Sequence, residues 1–287
     1  MSSAPVPRFA TLTCPSVAVL LGVFGSFIGS FLNVVIYRLP LKMSVVSPPS
    51  ACGACGSRIR PWDNVPVLSW LYLRGRCRDC NVRISSRYPI VELGTAVLFG
   101  VVATWLLSWS PAIDPTRVSL GTAFILLALL YLVSVSVALA AIDLDTHTLP
   151  DRLVLPAYPA GAALLAVAAL LTGEPGRLLG ALIGVCGLFA LYFLMALAYP
   201  AGMGMGDVKL AGLLGLYLGW FGWGQLAVGA FSAFLLGGLF ALLLLITRRA
   251  NRKSGIPFGP WMLAGAWLGI FYGEPIATGY LSLFGLA

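Results

Sequence analysis

The chain is 287 residues long, 59% hydrophobic and only 10% charged, with a formal net charge of +8 and a mean hydropathy of +0.94. Apolar blocks of about twenty residues, without the periodicity of an amphipathic element, exclude a soluble domain and predict an all-α polytopic membrane protein. The positive surplus reads as a topology signal with some affinity for anionic lipid head groups, and it gives no support for a nucleic-acid partner.

Residues 1–36 hold the N-terminal region and a first span near 16–36. Arg8 alone precedes it, and "GSFIGSFLNVVIYRLP" offers no clear small-residue cleavage site, so the span reads as retained. Residues 37–89 form the only sizeable polar segment. Residues 90–287 carry the other apolar runs, near 90–109, 118–142, 153–171, 177–199, 208–222, 224–246 and 257–275. Together these make about eight spans around the bilayer as solvent. The sixth, 208–222, is short and runs into "GWFGWG"; read as re-entrant, it leaves seven.

Basic residues orient these spans. With 37–89 on the cytoplasmic side, Arg38, Lys42, Arg58, Arg60, Arg74, Arg76, Arg78, Arg83 and Arg87 fall inside. So do Arg152, Lys209, Arg248, Arg249, Arg252 and Lys253, leaving Arg8, Arg117 and Arg177 outside. The asymmetry fits eight spans with both termini outside.

The polar segment contains "CGAC" (Cys52, Cys55) and "CRDC" (Cys77, Cys80). Two C-x-x-C knuckles at this separation match a four-thiolate zinc site, in which each knuckle supplies two sulfurs to a tetrahedron and metal binding supplies folding energy that so polar an insert lacks. A disulfide pair is the other reading, disfavoured in a reducing compartment, and a cluster without metal is the third. Cys14 and Cys186 are isolated and read as small apolar-compatible residues.

The third span delivers "AAIDLDTHTLPD" to the same face on which the fifth delivers "YPAGMGMGDVKLAG". Carboxylates at a bilayer edge are costly, which makes each a functional candidate. Asp143 and Asp145 project about 200° apart on a continuing helix, so one of them at most faces a shared site. Asp143 adjoins the apolar run, Asp145 and Asp151 read as solvated acids, Asp151 alternatively as a helix N-cap, and His147 as a surface or cap residue. Asp143 and Asp207 are therefore the expected pair, able to share a proton and activate water. Gly202, Gly204 and Gly206 have two readings: close helix packing, or an open backbone that an extended peptide can approach, with Gly204, Gly206 and Lys209 as substrate-binding residues.

These segments resemble, in order, the type IV prepilin peptidases, bacterial G-x-G-D membrane aspartic proteases. "GSFLNVVIYRLP" is similar to the first-span signature, "CGACGSRIRPWDNVPVLSWLYLRGRCRDC" to the four-cysteine segment and "ISSRYPIVELGTA" to the entry into the second span. "IDLDTHTLPD" and "GMGMGDVKLAG" resemble the two catalytic-aspartate motifs, and "GIPFGPWMLAG" the last-span motif. The resemblance implies a bacterial inner-membrane enzyme with Asp143 and Asp207 as its dyad. Its substrates would be prepilins or pseudopilins, cut after a glycine on the cytoplasmic side and then N-methylated from S-adenosylmethionine. No Rossmann-like fingerprint is present, so the methyl-transfer candidates are the cysteine insert and Glu92. Three rivals stay open: a G-x-G-D protease that transfers no methyl group, a transporter with an intramembrane acidic ion site, and a membrane-anchored zinc scaffold.

Overall fold

The computed structural model describes residues 14–109, 119–199, 202–247 and 257–285. Among these residues the regular structure is helical, apart from two isolated β-bridges in the polar segment. The helices are α1 (Cys14–Arg38), α2 (Leu68–Tyr72), α3 (Arg87–Trp109), α4 (Leu120–Thr146), α5 (Asp151–Thr172), α6 (Gly176–Ala198), α7 (Met205–Phe221), α8 (Trp223–Ile246) and α9 (Gly259–Ser282). Each expected apolar run has become one long helix, because backbone in lipid must satisfy its N–H and C=O groups internally.

Six of these helices, α1, α3, α4, α5, α6 and α8, are long and apolar enough to cross a membrane. The chain is a multi-pass membrane protein. α7 has 17 residues and α9 carries Glu274 and Pro275, and a total of eight spans depends on these two. Arg8, Arg117 and the basic run 248–253, which enter the orientation argument, lie outside the described residues.

Burial separates inner from outer helices. In α4, 61% of the most apolar window is buried, against 22% in α6 and α8. From Val208 to Phe221 every residue of α7 except Lys209 is buried. α4 packs against α1, α3, α5 and α9, and α7 against α5, α6, α8 and α9. The brevity of α7 thus has a structural counterpart: it is the inner helix, enclosed by protein over most of its length. Its closest neighbour is α6, where Gly184 and Gly215 bring backbone against backbone so tightly that a Cβ on either would overlap the other's carbonyl. α7 stops at Gly222, whose φ of 148° turns the chain directly into α8.

Candidate functional site

The two candidate acids lie at helix ends, Asp143 in the last turn of α4 and Asp207 in the first turn of α7. α4 finishes three residues beyond Asp143, where His147 adopts a left-handed conformation (φ 51°) and caps the helix by donating its backbone N–H to Asp143 O at 2.9 Å. Asp143 is buried, at 4% exposure. Its Oδ2 accepts the backbone N–H of Gly259 at 3.0 Å. Gly259 is the first residue of α9, so this amide is one of the N–H groups that a helix start leaves without an internal partner. The approach requires glycine, since a Cβ at 259 would stand 2.7 Å from Asp143 Oδ2.

Asp207 sits in the first turn of α7, half-buried, and closes a capping arrangement in which its Oδ2 accepts the Gly204 N–H at 3.1 Å. The two carboxylates lie within electrostatic reach of one another. Leu149 links their supports. A Cβ on Gly206 would meet Leu149 Cβ at 3.0 Å, and one on Gly259 would meet its Cδ2 at 3.3 Å. Tyr192 of α6 is buried, interacts electrostatically with Asp207 and contacts the Phe258 ring at 6.4 Å between centroids.

The glycines before Asp207 divide between the two readings. Gly206 is a packing residue inside α7, whereas Gly204 is extended (φ −82°, ψ 153°) and exposed. Asp145 is exposed and pairs with Arg87 at the start of α3. The N-cap expectation for Asp151 is corrected: Pro150 holds that position, and Asp151, in the first turn of α5, accepts Lys209 Nζ with both oxygens at 2.8 Å. Lys209 is thus tied beside the site, and its carbonyl accepts the Tyr158 hydroxyl. Nothing local in the sequence marks Leu149, Tyr158 or Tyr192, whereas Gly259 falls within the last-span motif. Its signal is the glycine preceding Pro260 at the head of the last span.

The four cysteines form a second centre. Their sulfurs all lie within 4.8 Å of one another, with Cys52 and Cys80 3.8 Å apart, and all four are free thiols. An ion with tetrahedral bonds of about 2.3 Å to sulfur needs edges of about 3.8 Å, so the cluster could hold a metal ion. The two knuckles share one construction. Gly56 (φ 71°) and Asn81 (φ 58°) turn the chain after each pair and return their N–H groups to Cys52 O and Cys77 O. Arg60–Asp79 and Arg78–Asp63 ion pairs cross between them, and the Arg78 hydrogen bond holds the Asp63 carboxyl below the usual range. The Ser57 hydroxyl and backbone lower Cys55 to about 6, which favours a thiolate. Cys186 is free and exposed.

Glu92 joins the insert to the helices. It is buried in α3, and its carboxylate takes the Val67 N–H at 2.7 Å and bonds Ser30 of α1.

Residues 23–106 match the Bacterial Peptidase A24 N-terminal domain, and residues 130–246 match the Type IV leader peptidase family. A Prepilin leader peptidase/N-methyltransferase of Pseudomonas putida is 36% identical over 286 residues, covering 92% of this chain and 93% of the relative. Its counterpart from Aeromonas salmonicida (strain A449) is 36% identical over 291 residues, with the same coverage. That of Burkholderia pseudomallei (strain 1026b) is 33% identical over 311 residues, covering 99% of this chain and 94% of the relative. No solved structure matches. The first of the two matched regions takes in the cysteine insert, the second holds both candidate aspartates, and the relatives match along nearly the whole chain: it belongs to the type IV leader peptidases.

Proposed function

We propose that this protein is a bifunctional membrane enzyme that cleaves the leader of prepilins or pseudopilins after a glycine on the cytoplasmic side and N-methylates the new N-terminus. The observation that supports the proteolytic half is the electrostatic interaction of Asp143, at the end of α4, with Asp207, at the start of α7, each carboxylate accepting one backbone amide. Two carboxylates at such range do not readily ionise together. The ionised one takes a proton from water as it attacks the glycine carbonyl. The protonated one donates to the carbonyl oxygen; as the tetrahedral diol collapses, its hydroxyl returns a proton to that aspartate, and the other aspartate hands the proton taken from water to the departing amine. No covalent enzyme intermediate is required. The exposed, extended backbone at Gly204 gives an extended substrate peptide a place to approach, with Gly206 setting the depth of Asp207 and Lys209 beside it.

The domain division follows the chemistry: 1–36 as N-terminal region and first span, 37–89 as insert, and 90–287 as protease core. In the insert Cys52, Cys55, Cys77 and Cys80 hold one structural Zn2+, supported by the four-sulfur geometry and the knuckle spacing. Basic residues support both termini outside, with the insert and both aspartates at the cytoplasmic face of the bacterial inner membrane. S-adenosylmethionine, when bound, supplies a methyl group carried on a sulfonium sulfur. Glu92 contributes as a positioning residue, since its carboxylate is already engaged in holding the insert against α1 and α3.

The test is to incubate purified Asp143→Asn and Asp207→Asn proteins in lipid with a prepilin and, separately, with a precut pilin and labelled S-adenosylmethionine. Each substitution should lower cleavage by about 10^2-fold or more, while methylation of the precut pilin persists. Near wild-type cleavage by a folded, inserted Asp143→Asn protein refutes the dyad.

A further inference from the structure

The cysteine insert is joined to the bundle below its edge. Val67 N–H donates to Glu92, five residues into α3 from Arg87, and Arg87 in turn pairs with Asp145 at the end of α4. Charged groups on a spanning helix mark the border of the apolar zone. At 1.5 Å per residue, Glu92 and the Val67 amide lie about 7.5 Å nearer the bilayer centre than that ion pair. That is the depth of the boundary between head groups and acyl chains, about 5–10 Å in.

Two observations say what surrounds this segment. Val65 and Leu68 line an apolar groove together with Val23 and Phe27 of α1, and these α1 residues lie on its outer face, each 54% exposed. The segment is therefore continuous with a surface that already faces lipid. Its own large side chains also point outward: Trp62 is 65% exposed, Leu68 65%, Leu71 58% and Tyr72 77%. Leu68, Leu71 and Tyr72 share one face of α2, being three and four positions apart. An aqueous surface would leave this patch solvated, whereas an interface takes aromatic and leucine side chains readily. Val67, a β-branched residue, adopts φ 60°, and the bond to Glu92 holds this costly turn, which drives the segment inward.

Charge completes the description. In residues 37–89 nine basic residues face two acids, Asp63 and Asp79. Both acids are paired, with Arg78 and Arg60. Arg58, Arg74, Arg76 and Arg83 are exposed and have no carboxylate partner among the described residues.

We propose that residues 61–73 form a wedge seated in one leaflet, with Trp62, Leu68, Leu71 and Tyr72 against lipid chains and Arg58, Arg74, Arg76 and Arg83 on anionic head-group phosphates. The insert is then an interfacial element that holds the cysteine cluster at the membrane surface. It is not a soluble domain on a tether. The proposal rests on the multi-pass membrane reading and is independent of the dyad.

The test uses the full-length protein in nanodiscs holding phosphatidylglycerol and phosphatidylcholine in equal amounts. A photoreactive benzoyl-phenylalanine is placed singly at Leu68, Leu71 or Tyr72, with Val23 of α1 as the lipid-facing reference, and adducts are identified by mass spectrometry. The wedge sites should capture lipid with at least about a third of the Val23 yield. Phosphatidylglycerol should exceed phosphatidylcholine among their adducts by about twofold or more, and a variant with Arg58, Arg74, Arg76 and Arg83 all changed to Gln should lose that preference. A lower yield while Val23 is labelled overturns the wedge, as does capture of added prepilin in place of lipid. Equal capture of the two lipids by the unaltered insert overturns the head-group assignment.

Discussion

Gly259→Ala probes the proposed dyad without touching either carboxylate. A Cβ at this position would lie 2.7 Å from Asp143 Oδ2 and 3.3 Å from Leu149 Cδ2. Ordinary contact begins near 3.4 Å, so the oxygen must retreat by about 0.7 Å or the start of α9 must lift. Either movement lengthens the 3.0 Å bond from the Gly259 amide and turns the carboxylate away from its partner. A misplacement on the order of 1 Å costs about 10^2-fold in rate. The expected result is a cleavage rate lower by about 10^2-fold, with KM for prepilin changed by less than about threefold, because residue 259 is buried. Alanine has no difficulty in a helix, and the gap at one methyl group leaves the bundle folded. Gly238→Ala, where nothing lies within 4 Å of the added carbon, is the matched control and should cleave normally. Single-turnover cleavage in lipid, with methylation of precut pilin as a fold check, reads the difference. Full activity in Gly259→Ala would show that Asp143 is not held for chemistry by this amide.

The flanking acids should behave differently. Asp145→Asn and Asp151→Asn remove partners of Arg87 and Lys209 at exposed sites, worth about 1 kcal/mol or less, and should keep cleavage within about tenfold. A larger loss in Asp145→Asn than in Asp143→Asn would move the dyad. Metal analysis of the purified protein should find about one equivalent of zinc, lost in Cys77→Ser; less than about a tenth of an equivalent with the fold intact refutes the zinc assignment. Single-cysteine probes labelled with an impermeant reagent should react from outside near residue 114 and stay protected near residue 250, and the reverse pattern would put the aspartates on the wrong face for a cytoplasmic cut.

Much of the architecture is legible along the chain because membrane helices are selected by a local property. Twenty or so apolar residues have no alternative in lipid but a helix, so seven of the runs could be bounded to within four residues of α1 and α3–α8, while α9 continues seven residues past the expected end of the last run. The cysteine cluster is likewise local: two C-x-x-C turns, each closed by a residue that tolerates positive φ, Gly56 and Asn81. The choice of Asp143 over Asp145 needed the pitch of a helix and the place of Asp143 beside the apolar run; in the structure Asp143 is buried and Asp145 exposed. The supports of the two acids are another matter. Asp143 depends on an amide 116 positions away, and Asp207 has Tyr192 beside it from a different helix. Nothing in the composition near either acid signals those neighbours. Nor could spacing separate Gly206, which packs on Leu149, from Gly204, which stays open, since both precede an acid within the same repeat of Gly and Met. Length and hydropathy likewise leave α7 open between a short span and a re-entrant segment, and only the packing shows that most of its 17 residues meet protein. A sequence records which residues avoid water, but which of them meet one another is decided only when the helices pack.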